Sequence, residues 1–163
     1  MKRQFLLDNL SCNFNIVLIN PDIPPNTGNI ARLCVATGST LHLVKPLGFS
    51  LSDKKLKRAG LDYWPFLNLK VYENIDDFFG KNPTNRMFFA STKASQSYFE
   101  VSFKDGDYIV FGSETKGLDE QLIGRNFKNA INIPMKSTVR SLNLADSVAI
   151  VLYEAIRQVC FKR

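Results

Sequence analysis

A single histidine, His42, and only three cysteines leave this chain little material for metal or nucleophile chemistry. Cys12, Cys34 and Cys160 stand 22 and 126 residues apart with no C-x-x-C pair. That spacing offers no zinc ligand pattern, and three is the wrong number for a secreted disulfide framework. All three are expected to be reduced, with Cys34 and Cys160 acting as small helix hydrophobes. A hydrolase of the triad type would have to use His42. That residue lies in the alternating run Thr40-Leu41-His42-Leu43-Val44, which reads as a strand, so a structural role is expected. Long hydrophobic runs are missing as well. The most apolar stretch, Val148 to Ile156, is short and contains Glu154, too little for a membrane span. The apolar run after Met1-Lys2-Arg3 stops at Asp8, too short for a secretory signal, and a cytosolic protein is expected. There is no G-x-G-x-x-G dinucleotide fingerprint. The Gly112–Gly117 segment shares only its two glycines with a Walker A loop, because Leu118-Asp119 stand where Lys-Ser/Thr must follow.

What is present points to one folded domain. The chain has 163 residues, 45% of them apolar and 12% aromatic, which excludes a disordered polymer. Twenty-one basic against fifteen acidic residues give a net charge of +6, which favours a polyanionic partner. Short apolar runs at Asn15–Ile19, Thr40–Val44, Arg86–Ala90, Asp107–Phe111 and Ala130–Ile133 read as buried strands. Between them, Ile30, Leu33, Cys34 and Thr37 recur at helical spacing, with Gly38 suited to the stop. Ser52 is placed to cap a short helix through Arg58 that Gly60 ends, and Asn74 to cap another through Phe79. Leu144, Val148, Val151, Leu152, Ala155, Ile156 and Val159 form a wide stripe on a C-terminal helix, fit for a core or a dimer face. Strands alternating with helices predict an α/β fold, a mostly parallel sheet covered on both faces. Pro21 to Gly28 reads as loop on its prolines. Residues 1–13 read as an N-terminal extension, possible disorder included, before a single domain at 14–163.

Three segments that follow strands carry the candidate site. Asn26-Thr27-Gly28-Asn29-Ile30-Ala31-Arg32 opens a helix, whose N-terminal amides favour anions. Gly112-Ser113-Glu114-Thr115-Lys116-Gly117-Leu118 has glycines where a backbone can approach a ligand. Ile133-Pro134-Met135 through Arg140-Ser141-Leu142-Asn143-Leu144 gathers polar groups at the mouth of a helix that Ser141 or Asn143 could cap. Lys54, Lys55, Lys57 and Arg58 share one short predicted helix, either a solvated face or a phosphate contact. Tyr63, Trp64 and Phe66 suit either base stacking or a core.

In this order and spacing, the three segments resemble the motifs of the SPOUT RNA methyltransferases. Ile23-Pro24-Pro25-Asn26-Thr27-Gly28-Asn29-Ile30, Lys57-Arg58-Ala59-Gly60-Leu61-Asp62-Tyr63 and Asp105-Gly106-Asp107-Tyr108 sharpen the likeness to the small tRNA wobble-nucleotide ribose methyltransferases, over roughly residues 14–160. The resemblance implies an α/β domain with a deep C-terminal trefoil knot, a homodimer, and S-adenosylmethionine as methyl donor without a metal. It implies 2′-O-methylation of position 34, a cytidine or 5-modified uridine, in tRNA of the leucine type. Another tRNA or rRNA site, or a non-catalytic RNA-binding module, are the alternatives. Carried over residue by residue, it implies donor contacts at Ala90, Gly112, Ile133 and Ser141, with Glu114, Met135, Leu142 and Asn143 alongside. Arg32 matches the arginine that acts on the ribose hydroxyl, as base or electrostatic stabiliser. Tyr153 matches a tyrosine implicated with the RNA, and Asn26, Lys54, Lys57, Arg58 and Arg140 are further candidate RNA contacts. Ala90 departs from the bulkier leucine of some relatives.

Overall fold

A computed structural model describes residues 6–60 and 62–161. Seven strands form one sheet: β1 (Asn15–Ile19), β2 (Thr40–Val44), β3 (Leu69–Tyr72), β4 (Met87–Ala90), β5 (Gln96–Ser97), β6 (Tyr108–Phe111) and β7 (Ala130–Asn132). Their order is β3-β2-β1-β6-β4-β7-β5 and every pairing is parallel. Among the described residues four α-helices lie between strands, α1 (Pro24–Thr37), α2 (Lys54–Gly60), α3 (Ile75–Lys81) and α4 (Glu120–Arg125), and a fifth, α5 (Leu144–Cys160), follows β7. Parallel pairing requires crossovers, and these helices cover both faces.

The two-residue period of β1 divides the core. Ile16 and Leu18 point to one face, where they join Ile30 and Cys34 of α1 and Val148, Val151, Leu152, Ala155 and Ile156 of α5. Val17 and Ile19 point to the other, with Phe78 of α3 and Ile123 of α4. The apolar stripe of α5 is therefore consumed by this chain's own core, where burial of each large side chain is worth about 1.5–3 kcal/mol.

Local chemistry explains the helix ends. The Asn74 side chain accepts from the Asp77 N–H at 2.9 Å and caps α3. Asn143, not Ser141, caps α5, accepting from Ala145 N–H at 2.8 Å and Asp146 N–H at 3.4 Å. Gly38 closes α1 at φ 68°, in the left-handed region. Ahead of α2 the capping side chain is Asp53, which accepts from Lys55 N–H at 2.7 Å, while Ser52 bonds Ser50. Pro21–Gly28 is not all loop. Pro24 and Pro25 occupy the first turn of α1, where the missing N–H has no partner to lose, so Asn26, Thr27 and Gly28 are helical and buried. Two strands beyond those expected complete the sheet: β3, four residues with only Tyr72 buried, and β5, only two residues long.

His42 holds the structural role expected of it. Fully buried in β2, it pairs Nδ1 with the Tyr72 hydroxyl at 2.8 Å and Nε2 with Asn15 Oδ1 at 2.9 Å. Burial, then the positive charge of Lys70, pulls its pKa down to about 4. The cysteines correct an expectation. Cys12 and Cys160 form a disulfide, with Cα atoms 6.4 Å apart across a sequence separation of 148, because the N-terminal segment returns to the end of α5. Cys34 is free and buried, and burial pushes its thiol up to about 12. Residues 6–13 are held to the domain: Leu7 and Cys12 pack on the core, and Gly106 N–H donates to Asn13 O at 2.7 Å. Residues 1–5 of the expected extension lie outside the described residues. Among the described residues no helix is long and apolar enough to cross a membrane.

Candidate active site

Strand order reverses between β1 and β6, and ligands of open α/β sheets bind outside the carboxyl ends of strands at such a point. A cleft of about 1240 Å³ lies there. It runs from Ile19 and Asn20 past β1, to Phe111 through Leu118 past β6, Ala90 through Lys93 past β4, and Ile131 through Ile133 past β7. Of the donor contacts expected from sequence, Ala90, Gly112, Glu114, Ile133, Met135, Ser141 and Leu142 all line it.

Two features shape the cleft wall at β6. Gly117 takes φ 68°, and its N–H donates to Ser113 O at 2.9 Å, so the loop doubles back on itself. A Cβ at Gly112 would sit 2.0 Å from the Gly117 carbonyl carbon and 2.3 Å from Leu118 N. Gly112 is therefore demanded by the loop's own backbone, before any ligand arrives.

Glu114 and Asn143 do more than flank the cleft. The Glu114 carboxylate accepts from the N–H groups of Asp22 at 2.7 Å and Ile23 at 3.1 Å, and from Asn26 Nδ2 at 3.2 Å. It thus supplies the anion that the amino end of α1 favours, where no side chain of the helix's own cap residue Ile23 can. Asn143 Nδ2 donates in turn to Asn26 Oδ1 at 3.0 Å. Asn143, one layer behind the cleft lining, is joined through Asn26 to Glu114. This polar chain ties together the β6 loop, α1 and α5, one member from each motif. Asn26 is 7% exposed with both ends of its amide engaged, so it faces inward to its neighbours rather than outward to an RNA.

Arg32 lies two turns along α1, exposed and outside the lining of the cleft, with its guanidinium 4.9 Å from the centre of the Tyr63 ring. That is cation–π distance. Lys54, Lys55, Lys57 and Arg58 are exposed on α2, while Leu56 between them is fully buried and anchors the helix. Trp64 is half-buried against the core and Phe66 is exposed, so the aromatic cluster divides between the two roles the sequence allows. Arg140 is exposed in the loop before α5, and Tyr153 stands on the outer side of α5, opposite its core stripe. Sequence reasoning missed Asp22, whose carboxylate accepts from the Thr115 hydroxyl at 2.8 Å and braces the cleft wall. It also missed the Lys93–Glu120 ion pair at the rim. Neither belongs to a spacing that marks a site.

A parallel sheet with a glycine-built cleft at its switch point, walled by two polar motif segments and tied through Asn26 to the third, has the architecture of an open α/β ligand-binding domain. The chain belongs to the SpoU rRNA methylase family, whose profile matches residues 13–153, and it is a methyltransferase. It is 51% identical over 146 residues to the tRNA (cytidine(34)-2′-O)-methyltransferase of Methylovorus glucosotrophus, covering 89% of this chain and 95% of that one. It is 47% identical over 149 residues to the enzyme of the same name from Saccharophagus degradans, covering 91% and 97%. A structure solved to explain 2-OH methylation of C/U34 on tRNA superposes with a TM-score of 0.86 at 45% identity, over 90% of this chain and 96% of that one. The methyltransferase AviRb of Streptomyces viridochromogenes, solved with AdoMet, shares the fold at TM-score 0.78 and 23% identity, over 96% and 62%.

Proposed function

We propose that this chain transfers a methyl group from S-adenosylmethionine to the ribose 2′-oxygen of nucleotide 34 of tRNA, a cytidine or 5-modified uridine, with leucine tRNA as substrate. One observation carries the reading. Two motif segments line a single cleft and the third is tied to both through Asn26, in a member of a methylase family whose relatives at 51% and 47% identity are named for that reaction. The lining suits the donor. Ala90, Ile133, Met135 and Leu142 offer apolar walls to a base, and the open backbone of the Gly112 loop offers polar groups to its other end.

When bound, S-adenosylmethionine supplies a methyl group that its sulfonium already makes electrophilic. The chain's own task is to hold the ribose oxygen in line and to handle the hydroxyl proton. His42 cannot serve, since both its nitrogens are engaged inside the sheet. Glu114 is taken up by N–H donors at the head of α1. Arg32 remains. A guanidinium stays protonated at any physiological pH, so it stabilises the developing alkoxide or holds a phosphate that takes the proton. The exposed cations of α2 supply phosphate contacts. The homodimer, the trefoil knot and the cytoplasmic setting are parts of this proposal that rest on the sequence resemblance.

The test is methylation of bulk tRNA from a strain lacking the gene, with mass spectrometry of the modified nucleotide. Methylation at position 34 is expected; methylation elsewhere or none overturns the assignment. Under single-turnover conditions Arg32→Ala is expected to slow transfer by about 10²–10³-fold, with little rescue by Arg32→Lys, whose ammonium lacks the planar fork. Wild-type speed in Arg32→Ala refutes the role of Arg32.

A further inference from the structure

The turn after α2 presents an aromatic ring that the fold does not use. Trp64–Phe66 form one 3-10 turn, closed by Phe66 N–H to Tyr63 O at 3.0 Å and Leu67 N–H to Trp64 O at 3.1 Å. Pro65 stiffens it. Trp64 on one side and Leu67 on the other pack against the core, so the turn is fastened at both ends. Phe66 between them is 76% exposed, more than any other large hydrophobic side chain among the described residues. Its exposure follows from a held backbone and not from a loose segment. An apolar ring kept in water forgoes the burial that would stabilise it.

The surroundings state what kind of partner such a ring meets. Tyr63, one residue before the turn, carries the Arg32 guanidinium over its face. Lys54, Lys55, Lys57 and Arg58 stand exposed on α2, which packs against the same helix α1 that bears Arg32. Rings interleaved with cations fit a single-stranded nucleic acid, whose bases stack while its phosphates pair with charge. An apolar protein face would not call for this density of positive charge. We propose that Phe66 is a stacking platform for an unpaired nucleobase of the RNA, next to the nucleotide that Arg32 acts on. The proposal rests on the tRNA reading above and adds to it the residue that grips a splayed-out base.

The experiment uses the full chain and a synthetic anticodon stem–loop, with affinity read by fluorescence anisotropy at several salt concentrations. Trp64, the single tryptophan, lies two residues from Phe66 and reports the same contact by its own emission. Phe66→Ala and Phe66→Leu are both expected to weaken binding by about 5- to 150-fold, the range that loss of one stacked base gives. Phe66→Trp is expected to keep wild-type affinity. The slope of log affinity against log salt should not change in any of them, because a ring carries no charge. If the wild-type chain binds the stem–loop and Phe66→Ala binds equally well, the stacking role falls while the tRNA reading stands. If Phe66→Leu retains full affinity, the contact is merely apolar and stacking is refuted. If the wild-type chain itself does not bind, the tRNA reading falls and this proposal with it. Sedimentation of Phe66→Ala that shows a smaller assembly than wild type would assign the ring to a second copy of this chain and overturn the proposal.

Discussion

Asn26 offers the sharpest check on how the site is assembled, because two substitutions there make opposite demands. In Asn26→Ala, Asn143 loses an acceptor and Glu114 loses one of its three donors. A neutral hydrogen bond contributes about 1 kcal/mol net and one to a charged group about 2 kcal/mol, so a loss of about 2–3 kcal/mol is expected. Glu114 keeps two backbone N–H donors, which holds the cost to that range. For a domain of this size each kcal/mol moves the melting temperature by about 2–4 °C, giving a fall of roughly 5–10 °C. Asn26→Asp instead keeps the acceptor for Asn143 and places a second carboxylate beside Glu114. Two like charges about 4 Å apart at an effective dielectric of 20 repel by about 4 kcal/mol, and the amino end of α1 returns at most about 1 kcal/mol. The introduced carboxyl therefore binds a proton more readily in the folded chain than in the unfolded one. Its penalty is full at pH 8 and shrinks as pH falls toward the unfolded carboxyl value near 4. Thermal melts of the wild type and both variants at pH 8 and pH 5.5 provide the measurement. The deficit of Asn26→Asp should narrow on acidification while that of Asn26→Ala stays level. An Asn26→Asp protein that melts with the wild type at pH 8, or whose deficit ignores pH, would refute the polar chain as a structural tie.

Two further outcomes concern Gly112 and His42. Gly112→Ala is expected to distort the β6 loop through contact with Gly117 and Leu118 backbone, weakening S-adenosylmethionine binding in calorimetry at least tenfold with the core still folded; unchanged affinity would contradict the 2.0 Å approach. Lost stability at acid pH should carry the signature of His42: the unfolded chain takes up a proton near pH 6.5 while the folded chain resists until about 4, so urea unfolding should reveal a decline across that window of at most about 3 kcal/mol from this group. The decline should be smaller in His42→Gln, and an equal decline in that variant would assign it to carboxylates instead.

By itself the sequence determined five of the seven strands and four of the five helices among the described residues, and the three segments of the candidate site. Five strand runs, the cap at Asn74 and the stop at Gly38 were legible because they are set by alternation, side-chain geometry and φ, all local properties, while the choice of Asn143 over Ser141 as the cap of α5 came from the structure. The three motif segments were legible because their residues sit at fixed spacing within single loops. Only the tertiary structure decided what those residues touch. That Glu114 serves the head of α1, that Asn26 faces inward, and that Gly112 is required by Gly117 all depend on segments about 90 residues apart or on a loop folding over itself. The Cys12–Cys160 pair, 148 residues apart, was hidden for the same reason. So was the division of the aromatic cluster, in which Trp64 goes to the core and Phe66 to solvent. Spacing along a chain fixes distance only within one element; across elements, distance is set by how the sheet stacks its strands and which faces its helices must bury.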